Sequence, residues 1–339
     1  MTHLKKIIFT VIFFIAVNFC GKAFAGEALF YKEINLIGGY SVEDRWITQS
    51  STLSNSLGFE DYRKFSNEYG DFLTTDLQMR APYYGSQPAR NAFGVEIHNA
   101  WAAYKLSLGH NLKVGHFDPE FGLEPTVDTH STILQTLMMK SIGFKKDWGV
   151  ALEGFLANFD YRAALQLGSG MSVRVDDENY LVTTRLGAGA DKNFQYGFSF
   201  LWGQVLESKG MMTIPRSALA YDKAILKRHM EFDLRYFTGP YELKGEIAFG
   251  KDFGNYVLGY LAEVDYTLPK QQNCELSLQL ESWMDDLNKR NSADTTIAFC
   301  VSYKVNQKVT VRAFASRDLK MANGEEDTKV LMQIYYYAS

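Results

Sequence analysis

The chain has 339 residues, of which 35 are Lys or Arg and 39 are Asp or Glu, so its formal net charge at pH 7 is −4. Such a charge argues against the basic surface that nucleic-acid binding needs. Three cysteines without any CxxC or CxxCH pattern argue against a zinc ribbon, a thiol redox site or attached haem. We therefore expect no cofactor, no metal and no nucleic-acid partner.

The first 25 residues have the three-part pattern of a secretory signal peptide. Two lysines precede an apolar run over residues 7–17, and Ala23-Phe24-Ala25 supplies a cleavage site. The run is too short to cross about 30 Å of hydrocarbon as a helix, which needs roughly 20 residues. Cleavage after Ala25 would leave 32 basic and 39 acidic residues, a charge of −7. We expect residues 1–25 to be removed and residues 26–339 to form one domain.

The composition beyond residue 25 is typical of a membrane β-barrel. In the full chain, tyrosine (20) and phenylalanine (24) are abundant and proline (7) is scarce, and beyond residue 25 no apolar run is long enough for a membrane helix. A transmembrane strand is apolar only on alternate residues, so its average hydropathy is close to neutral. The mean hydropathy of the chain, −0.19, is of this kind.

Apolar and polar residues alternate with a period of two along most of the chain, which indicates strands with two different faces. In residues 229–236 one parity holds Met230, Phe232, Leu234 and Tyr236, and the other holds His229, Glu231, Asp233 and Arg235. A soluble sheet would need a second layer over each apolar face, and no segment supplies the necessary helices. We interpret the apolar parity as facing lipid and the polar parity as lining water.

Strand length supports the same interpretation. Tyr256 and Tyr266 lie ten residues apart on the outward parity. At about 3.3 Å per residue and a tilt near 40°, ten residues rise about 25 Å, the height of the apolar band between two aromatic girdles.

The alternation predicts an all-β, transmembrane, antiparallel up-and-down barrel of sixteen strands, with roughly 14 to 18 as the range. The strands cover residues 29–40, 55–65, 70–82, 93–107, 111–117, 146–157, 159–168, 179–190, 194–206, 228–238, 241–250, 255–267, 273–284, 294–305, 308–317 and 328–337. Short turns and longer loops alternate between them, with 251–254 as the exception. In the second strand, Asp61 and Arg63 fall on the parity assigned to lipid.

The strand number, the alternation of connections and one very long loop resemble the sixteen-stranded bacterial porins. That loop, residues 118–145, is the third outer one and begins Asp118-Pro119-Glu120-Phe121-Gly122. The resemblance implies that the loop folds into the barrel of a Gram-negative outer-membrane porin, surrounded by outer-membrane lipid, with both termini periplasmic. It also implies a water-filled channel for small polar solutes or ions. Outward alanines at 163, 313 and 315 favour a homotrimer.

The long loop also contains a predicted helix. Its N-cap would be Asp128 or Ser131, and an apolar stripe at helical spacing follows. The stripe consists of Ile133, Leu134, Leu137 and Met138.

Acidic residues outnumber basic ones on the parity assigned to the lumen. The basic ones are Arg80, Arg162, Arg185, Arg235, Lys244, Lys304, Arg312 and Lys329. The acidic ones are Asp76, Glu96, Asp147, Glu153, Asp160, Glu231, Asp233, Glu242, Glu246, Glu263, Asp265, Glu275 and Glu281. We expect loop acids to face arginines across the opening, which would order water and mildly favour cations. The predicted constriction consists of Asp118, Glu120, Glu124, Asp128, His130, Arg80, Arg162, Arg185, Arg235 and Arg312.

Other functions share the same strand pattern. A barrel that binds one substrate, or a non-conducting scaffold, would show similar strands. His130 and Ser131 beside Asp128, and the inward His98, suggest a barrel-embedded lipid hydrolase, but adjacent residues rarely converge into a triad and no G-x-S-x-G element is present. We therefore predict no enzyme activity. We also predict no disulfide, because the two cysteines beyond residue 25 fall on opposite parities.

Overall fold

The computed structural model describes residues 27–50, 53–83, 93–128, 132–156, 158–171, 173–175, 178–188, 191–208, 220–289 and 291–339. The predicted signal peptide and His130 lie outside these ranges. Within them the chain consists almost entirely of β-strands, with one short α-helix and one 3-10 turn.

The strands of the described residues agree closely with the sequence prediction. In chain order they are β1 (Ala28–Ser41), β2 (Arg45–Ile47), β3 (Asn55–Asn67), β4 (Gly70–Tyr83), β5 (Glu96–Ser107), β6 (His110–Phe117), β7 (Asp147–Leu156), β8 (Phe159–Gln166), β9 (Tyr180–Ala188), β10 (Phe194–Ser208), β11 (Ala220–Thr238), β12 (Tyr241–Asp252), β13 (Asn255–Thr267), β14 (Cys274–Met284), β15 (Ala293–Lys304), β16 (Val309–Lys320) and β17 (Thr328–Ala338). Sixteen coincide with the sixteen predicted strands, all within three residues at each end except at β11, which begins eight residues earlier.

The strands close into an antiparallel barrel. Each long strand pairs with its neighbours in the chain, and the first strand pairs with the last over Lys32–Ser41 and Lys329–Ala338. The short strand β2 pairs with the end of β1, inside the long connection between the first two predicted strands. The described residues therefore form a sixteen-stranded barrel with one short extra strand.

The two faces of the barrel wall differ in polarity, which confirms the predicted alternation. On β10, Phe198 is 54% exposed whereas its neighbour Ser199 is 0% exposed. On β11, Met230 is 53% exposed and Glu231 is 1% exposed. Because the barrel is closed, the exposed apolar side chains lie on the outside and the polar ones point into the lumen. This is the arrangement of a wall between hydrocarbon and water.

The outer face of β3 interrupts this apolar surface. Asp61 and Arg63 point outward, as their parity predicted, and form an ion pair with a nitrogen–oxygen distance of 2.7 Å. The cross-strand partners of Asp61 are Phe30 on β1 and Leu77 on β4. A charged pair thus lies among apolar neighbours on the outside of the barrel.

The connection between β6 and β7, residues 118–146, folds into the lumen, as predicted; we call it the constriction loop. Its α-helix α1 (Met138–Ile142) is shorter than predicted and ends at Gly143, which has a φ of +104°. A helix starting near Ile133 was a wrong prediction, because Ile133, Leu137 and Met138 pack against three separate apolar clusters. No helix among the described residues has the length and apolar character to cross a bilayer.

Candidate functional site

The first limb of the constriction loop is fastened to the lumen face of β9 and β10. The backbone N–H of Glu120 donates to Thr183 Oγ1 at 3.1 Å, and that of Gly122 donates to Ser199 Oγ at 3.0 Å. The inward parity of the strands places both hydroxyls under the loop. Hydrogen bonds to backbone groups fix the path of the chain, so this limb lies against the wall.

One carboxylate on β12 holds both limbs of the loop. Glu246 accepts hydrogen bonds from the backbone N–H of Leu123 at 2.9 Å and from that of Leu137 at 2.7 Å, one at each oxygen. Gly122 lies so close that a Cβ there would be 2.1 Å from a carboxylate oxygen of Glu231. Its φ of +61° also favours glycine. The loop therefore packs so closely against this part of the wall that only glycine fits at residue 122.

Apolar packing fastens the loop to the same wall near the long-loop end of the strands. The loop side chains are Phe121, Met138, Ile142 and Phe144, and the wall side chains are Leu181, Leu201 and Val205. All seven are at most 2% exposed. Burial of this size stabilises the loop by several kcal/mol, at about 1.5–3 kcal/mol for a fully buried large apolar side chain.

A buried serine, a buried histidine and a half-buried aspartate are joined by hydrogen bonds in the order that a hydrolase site would need. Ser141 Oγ lies 2.7 Å from His229 Nδ1, and His229 Nε2 lies 2.7 Å from Asp252 Oδ1. Lys227 Nζ donates to the backbone oxygen of Ser141 at 2.9 Å and lies 3.3 Å from Asp252. Ser141 is 0% exposed, so its hydroxyl is closed to a substrate. This cluster fastens α1 to β11 and β12.

Two of the predicted arginines hold the middle of the loop rather than opposing it. Arg162 Nη1 donates to the backbone oxygen of Pro125 at 2.7 Å and lies 3.6 Å from Glu120. Arg235 Nη1 donates to the backbone oxygen of Thr126 at 2.7 Å. Both side chains come from the wall that carries the loop. Their hydrogen bonds satisfy the backbone oxygens of Pro125 and Thr126 and fix the position of the residues that follow.

Two more of the five predicted arginines, Arg185 and Arg80, are buried in ion pairs. Arg185 lies 2.7 Å from Asp233 and 3.6 Å from Asp160, with 1% of its side chain exposed. Arg80, on the opposite wall, lies 2.9 Å from Glu33, and 5% of its side chain is exposed. Arg185 and Arg80 therefore contribute little surface to the opening.

The two ends of the loop are joined by ion pairs. Lys146 Nζ lies 2.6 Å from Asp118, and Lys145 Nζ lies 3.4 Å from Glu124. Burial by itself would raise the pKa of Asp118, but the positive charges of Lys146 and Lys145 outweigh it and hold that pKa below its usual value. Asp118 therefore keeps its negative charge to a lower pH than an ordinary aspartate.

Glu120 has the opposite behaviour. Burial raises the pKa of its carboxyl above the usual glutamate value, against the lowering effect of Lys113 and Arg162. Lys113 Nζ lies 3.6 Å from this carboxylate. Glu120 will take up a proton before an ordinary glutamate as the solution is acidified.

Two cavities remain beside the loop. The smaller, about 260 Å³, is lined by Glu60, Gln78, His98, Asn99, Asp118, Glu124, Val127, Asp128, Lys145, Lys146 and Tyr337. The larger, about 500 Å³, extends from Val127 and Asp128 to the rim of short turns, where Gln272, Asn273 and Lys308 line it. Acidic side chains outnumber basic ones in the smaller cavity by four to two and in the larger by five to four.

The structure brings only part of the predicted constriction to these cavities. Asp118, Glu124 and Asp128 line the smaller one, and Arg312 lines the larger one together with Asp128. Glu120 is 2% exposed beneath the loop. His130 lies outside the described residues. The described residues contain no group of three or more His, Cys, Asp or Glu side chains placed to hold a metal ion.

Among the residues of the smaller cavity that the predicted constriction did not contain, four lie on the constriction loop or on the last strand. Val127, Lys145 and Lys146 belong to the loop, and Tyr337 lies on the last strand. The signal for Tyr337 was its inward parity, two residues from Tyr335. The lysine pair was visible at the end of the loop, where it faces the acids at the beginning.

No protein-family model and no curated protein sequence matches the chain. Solved structures do match in fold. An anion-selective porin from Comamonas acidovorans has a TM-score of 0.66 and 10% identity, over 93% of this chain and 100% of that chain. The outer membrane protein OmpT of Vibrio cholerae, in its trimer form, has a TM-score of 0.66 and 11% identity over 93% and 100%. The outer membrane channel DcaP of Acinetobacter baumannii has a TM-score of 0.61 and 12% identity over 93% and 98%. The chain has the fold of these bacterial outer-membrane porins.

Proposed function

We propose that the protein is an outer-membrane porin, a passive, non-enzymatic pore for small polar solutes and ions with a mild preference for cations. The observation that carries this proposal is the open lumen: two cavities lined by polar and charged side chains lie behind a wall that is apolar on its outside. A barrel of about sixteen strands is too wide for side chains to fill and leaves an aqueous channel. Water in such a lumen carries polar solutes by diffusion.

The charge of the cavities favours cations in this proposal. Both cavities have more carboxylates than basic groups, and a lumen with one excess sign of charge concentrates the opposite ion. The similar porin from Comamonas acidovorans is anion-selective. Because ion preference depends on the side chains at the constriction and not on the fold, it has to be measured for this chain.

Planar-bilayer recording with the purified protein tests the pore. We expect stepwise conductance that rises with KCl concentration, and a reversal potential under a KCl gradient that shows cation preference. Anion preference would contradict the charge argument. Absence of conductance steps would contradict the pore and favour a scaffold, and saturable block by one solute would favour a substrate-specific channel.

We also propose that residues 1–25 are removed and that both termini and the short turns lie in the periplasm. The outer apolar surface supports a membrane location, because exposed apolar side chains of this extent are stable only against lipid or protein. An epitope inserted in the loop 321–327 should bind antibody on intact cells, and the same epitope in the turn 305–308 should not. The N-terminus of the purified protein should be Gly26.

A homotrimer is the assembly that we propose. The outward pair of Asp61 and Arg63 supports it, since a charged side chain in the middle of the lipid-facing band costs about 2–4 kcal/mol. A neighbouring copy that covers β3 would remove this cost. OmpT of Vibrio cholerae, which has a similar fold, is described in a trimer form. Cross-linking of the wild-type protein in membranes should give a trimer. The double variant Asp61→Leu, Arg63→Leu should still form this trimer, but with a different stability. A wild-type protein that gives only monomers would contradict the proposal.

A further inference from the structure

The two cavities of the lumen meet at three residues. Val127, Asp128 and Tyr337 are the residues of the described chain that line both the smaller and the larger cavity. Val127 and Asp128 lie on the constriction loop, and Tyr337 lies on β17 of the facing wall. A solute that moves between the cavities therefore passes between the loop and this tyrosine.

The wall side of this passage is rigid. The ring of Tyr337 is stacked on Tyr31 with a centroid distance of 4.6 Å and an interplanar angle of 8°. Tyr335 also stacks on it, with a centroid distance of 6.2 Å and an interplanar angle of 13°. The Tyr337 hydroxyl donates a hydrogen bond to Glu60. A ring held by two neighbours and a carboxylate keeps one rotamer, so it cannot swing aside for a larger solute.

The loop side is also held in place, but it presents a charge. The carbonyl groups of Pro125 and Thr126, directly before the passage, accept hydrogen bonds from Arg162 and Arg235. The backbone N–H of Val127 donates to Leu123 at 3.1 Å. Asp128 follows and is an exposed side chain inside the barrel. Arg162 and Arg235 thus fix the backbone just before Asp128, which carries its carboxylate into the passage.

We propose that Asp128 and Tyr337 form the selectivity gate of the pore, in which Tyr337 limits the width of the solute and Asp128 favours small cations, including amines, over anions of equal size. This inference rests on the proposed pore function and adds to it the residues that select. The two selections are separable because different side chains carry them.

The width of the gate is tested by liposome swelling with mono-, di- and trisaccharides. Tyr337→Ala should raise the ratio of disaccharide to monosaccharide rates, because it removes the ring from the passage. Tyr62→Ala is the matched control, since Tyr62 has the same inward parity on β3 but lines neither cavity. An unchanged ratio in Tyr337→Ala, or an equal rise in Tyr62→Ala, overturns the width limit.

The charge of the gate is tested by reversal potentials in a KCl gradient. Asp128→Asn should lower the ratio of potassium to chloride permeability by about two- to five-fold, as expected for one partly screened charge at a narrow point. Glu275→Gln, which removes a carboxylate that lines only the larger cavity, should change the ratio less. Equal effects of the two variants overturn the assignment to Asp128.

Two further measurements distinguish a failure to assemble from a change in the passage. Heat-dependent mobility on gels shows whether each variant has assembled. If Tyr337→Ala fails to assemble, Val127→Trp should narrow the same passage from the loop and lower the single-channel conductance; an unchanged conductance overturns the gate. A wild-type protein that does not conduct would instead contradict the proposed pore.

Discussion

Arg185 projects into the lumen, as its parity predicted, but two buried carboxylates neutralise its charge. The guanidinium makes a pair of hydrogen bonds to Asp233, at 3.0 and 2.7 Å, and lies 3.6 Å from Asp160. From the sequence, glutamate at this position would be expected to raise the cation preference and leave assembly intact. The structure changes that expectation, because removing one partner of a buried ion pair costs about 3–5 kcal/mol.

Arg185→Glu should therefore impair assembly more than selectivity. The new carboxylate would lie beside two others without a cation, in a site that excludes water. Urea unfolding in detergent micelles, followed by tryptophan fluorescence, should show a lower midpoint and a poor yield of folded protein. Arg312→Glu is the matched control: Arg312 donates to Gln333 but also lines the larger cavity, where water can solvate a new carboxylate, so this variant should lose less stability than Arg185→Glu. A fully stable Arg185→Glu barrel would show that the cluster is hydrated.

Glu246 should limit the fluctuations of the single-channel current through the proposed pore, because it holds both limbs of the constriction loop. Glu246→Ala would leave the backbone N–H groups of Leu123 and Leu137 without their acceptor, at about 1–3 kcal/mol for each buried group. We expect the constriction loop to loosen on both limbs, which should appear as larger and noisier single-channel currents. Glu275→Ala, a carboxylate of the same lumen, serves as the control. Currents as quiet as those of the wild type would mean that the apolar packing alone fixes the loop.

At the scale of single elements, the alternation of polarity was sufficient to predict the long strands. It works because the two faces of each strand meet different environments. Phe198 on the outer face is 54% exposed, whereas its neighbour Ser199 on the lumen face is 0% exposed. It fails where the pattern is short or where pairing decides. The three residues of β2 are too few to alternate visibly. The register shift beside Gln78 and Met79 depends on the partner strand, and nothing local encodes it.

The lipid-facing parity of the strands has a depth-dependent consequence. Leu278 on β14 is 49% exposed in the outer apolar band, and Leu319 on β16 is 48% exposed near the end of its strand. Leu278→Arg should lower the free energy of unfolding by about 2–4 kcal/mol, and Leu319→Arg by about 0–1 kcal/mol, because the cost of a charge falls toward the interface. Equilibrium unfolding in lipid vesicles measures both. Equal costs would contradict the assigned depth or the lipid contact.

At the scale of the whole molecule, the residues of the constriction were easier to predict than their partners. Acids at the start of the loop and arginines on the inward parity are visible in the sequence. Which of them meet is decided by how the loop crosses the lumen, and that depends on apolar packing of Phe121 and Met138 against β9 and β10. The loop therefore lies on the wall that carries Arg162 and Arg235. The facing side of the passage is formed by Tyr337, more than 190 positions later in the chain than the loop, so no local pattern links the two.

The ion preference of the pore should depend on pH in a direction set by the loop acids. Burial raises the pKa of Glu120 against the effect of Lys113, whereas Lys146 and Lys145 outweigh burial and lower the pKa of Asp118. As pH falls, Glu120 loses its negative charge above the usual glutamate range, and Asp118 keeps its charge below the usual aspartate range. The lumen therefore becomes less negative as the pH falls, and of these two loop acids Glu120 changes first.

We expect the cation preference, measured by reversal potentials from about pH 8 to about pH 4, to decrease as the solution is acidified. Glu120→Gln removes the protonation of this one group, so in this variant the preference should start lower and should change less between these two pH values. Asp118→Asn is the comparison, because it removes a charge that persists in acid and should lower the preference over the whole range. Identical pH profiles for the wild type and Glu120→Gln would mean that the charge of Glu120 is hidden from the passing ion by Lys113 and Arg162.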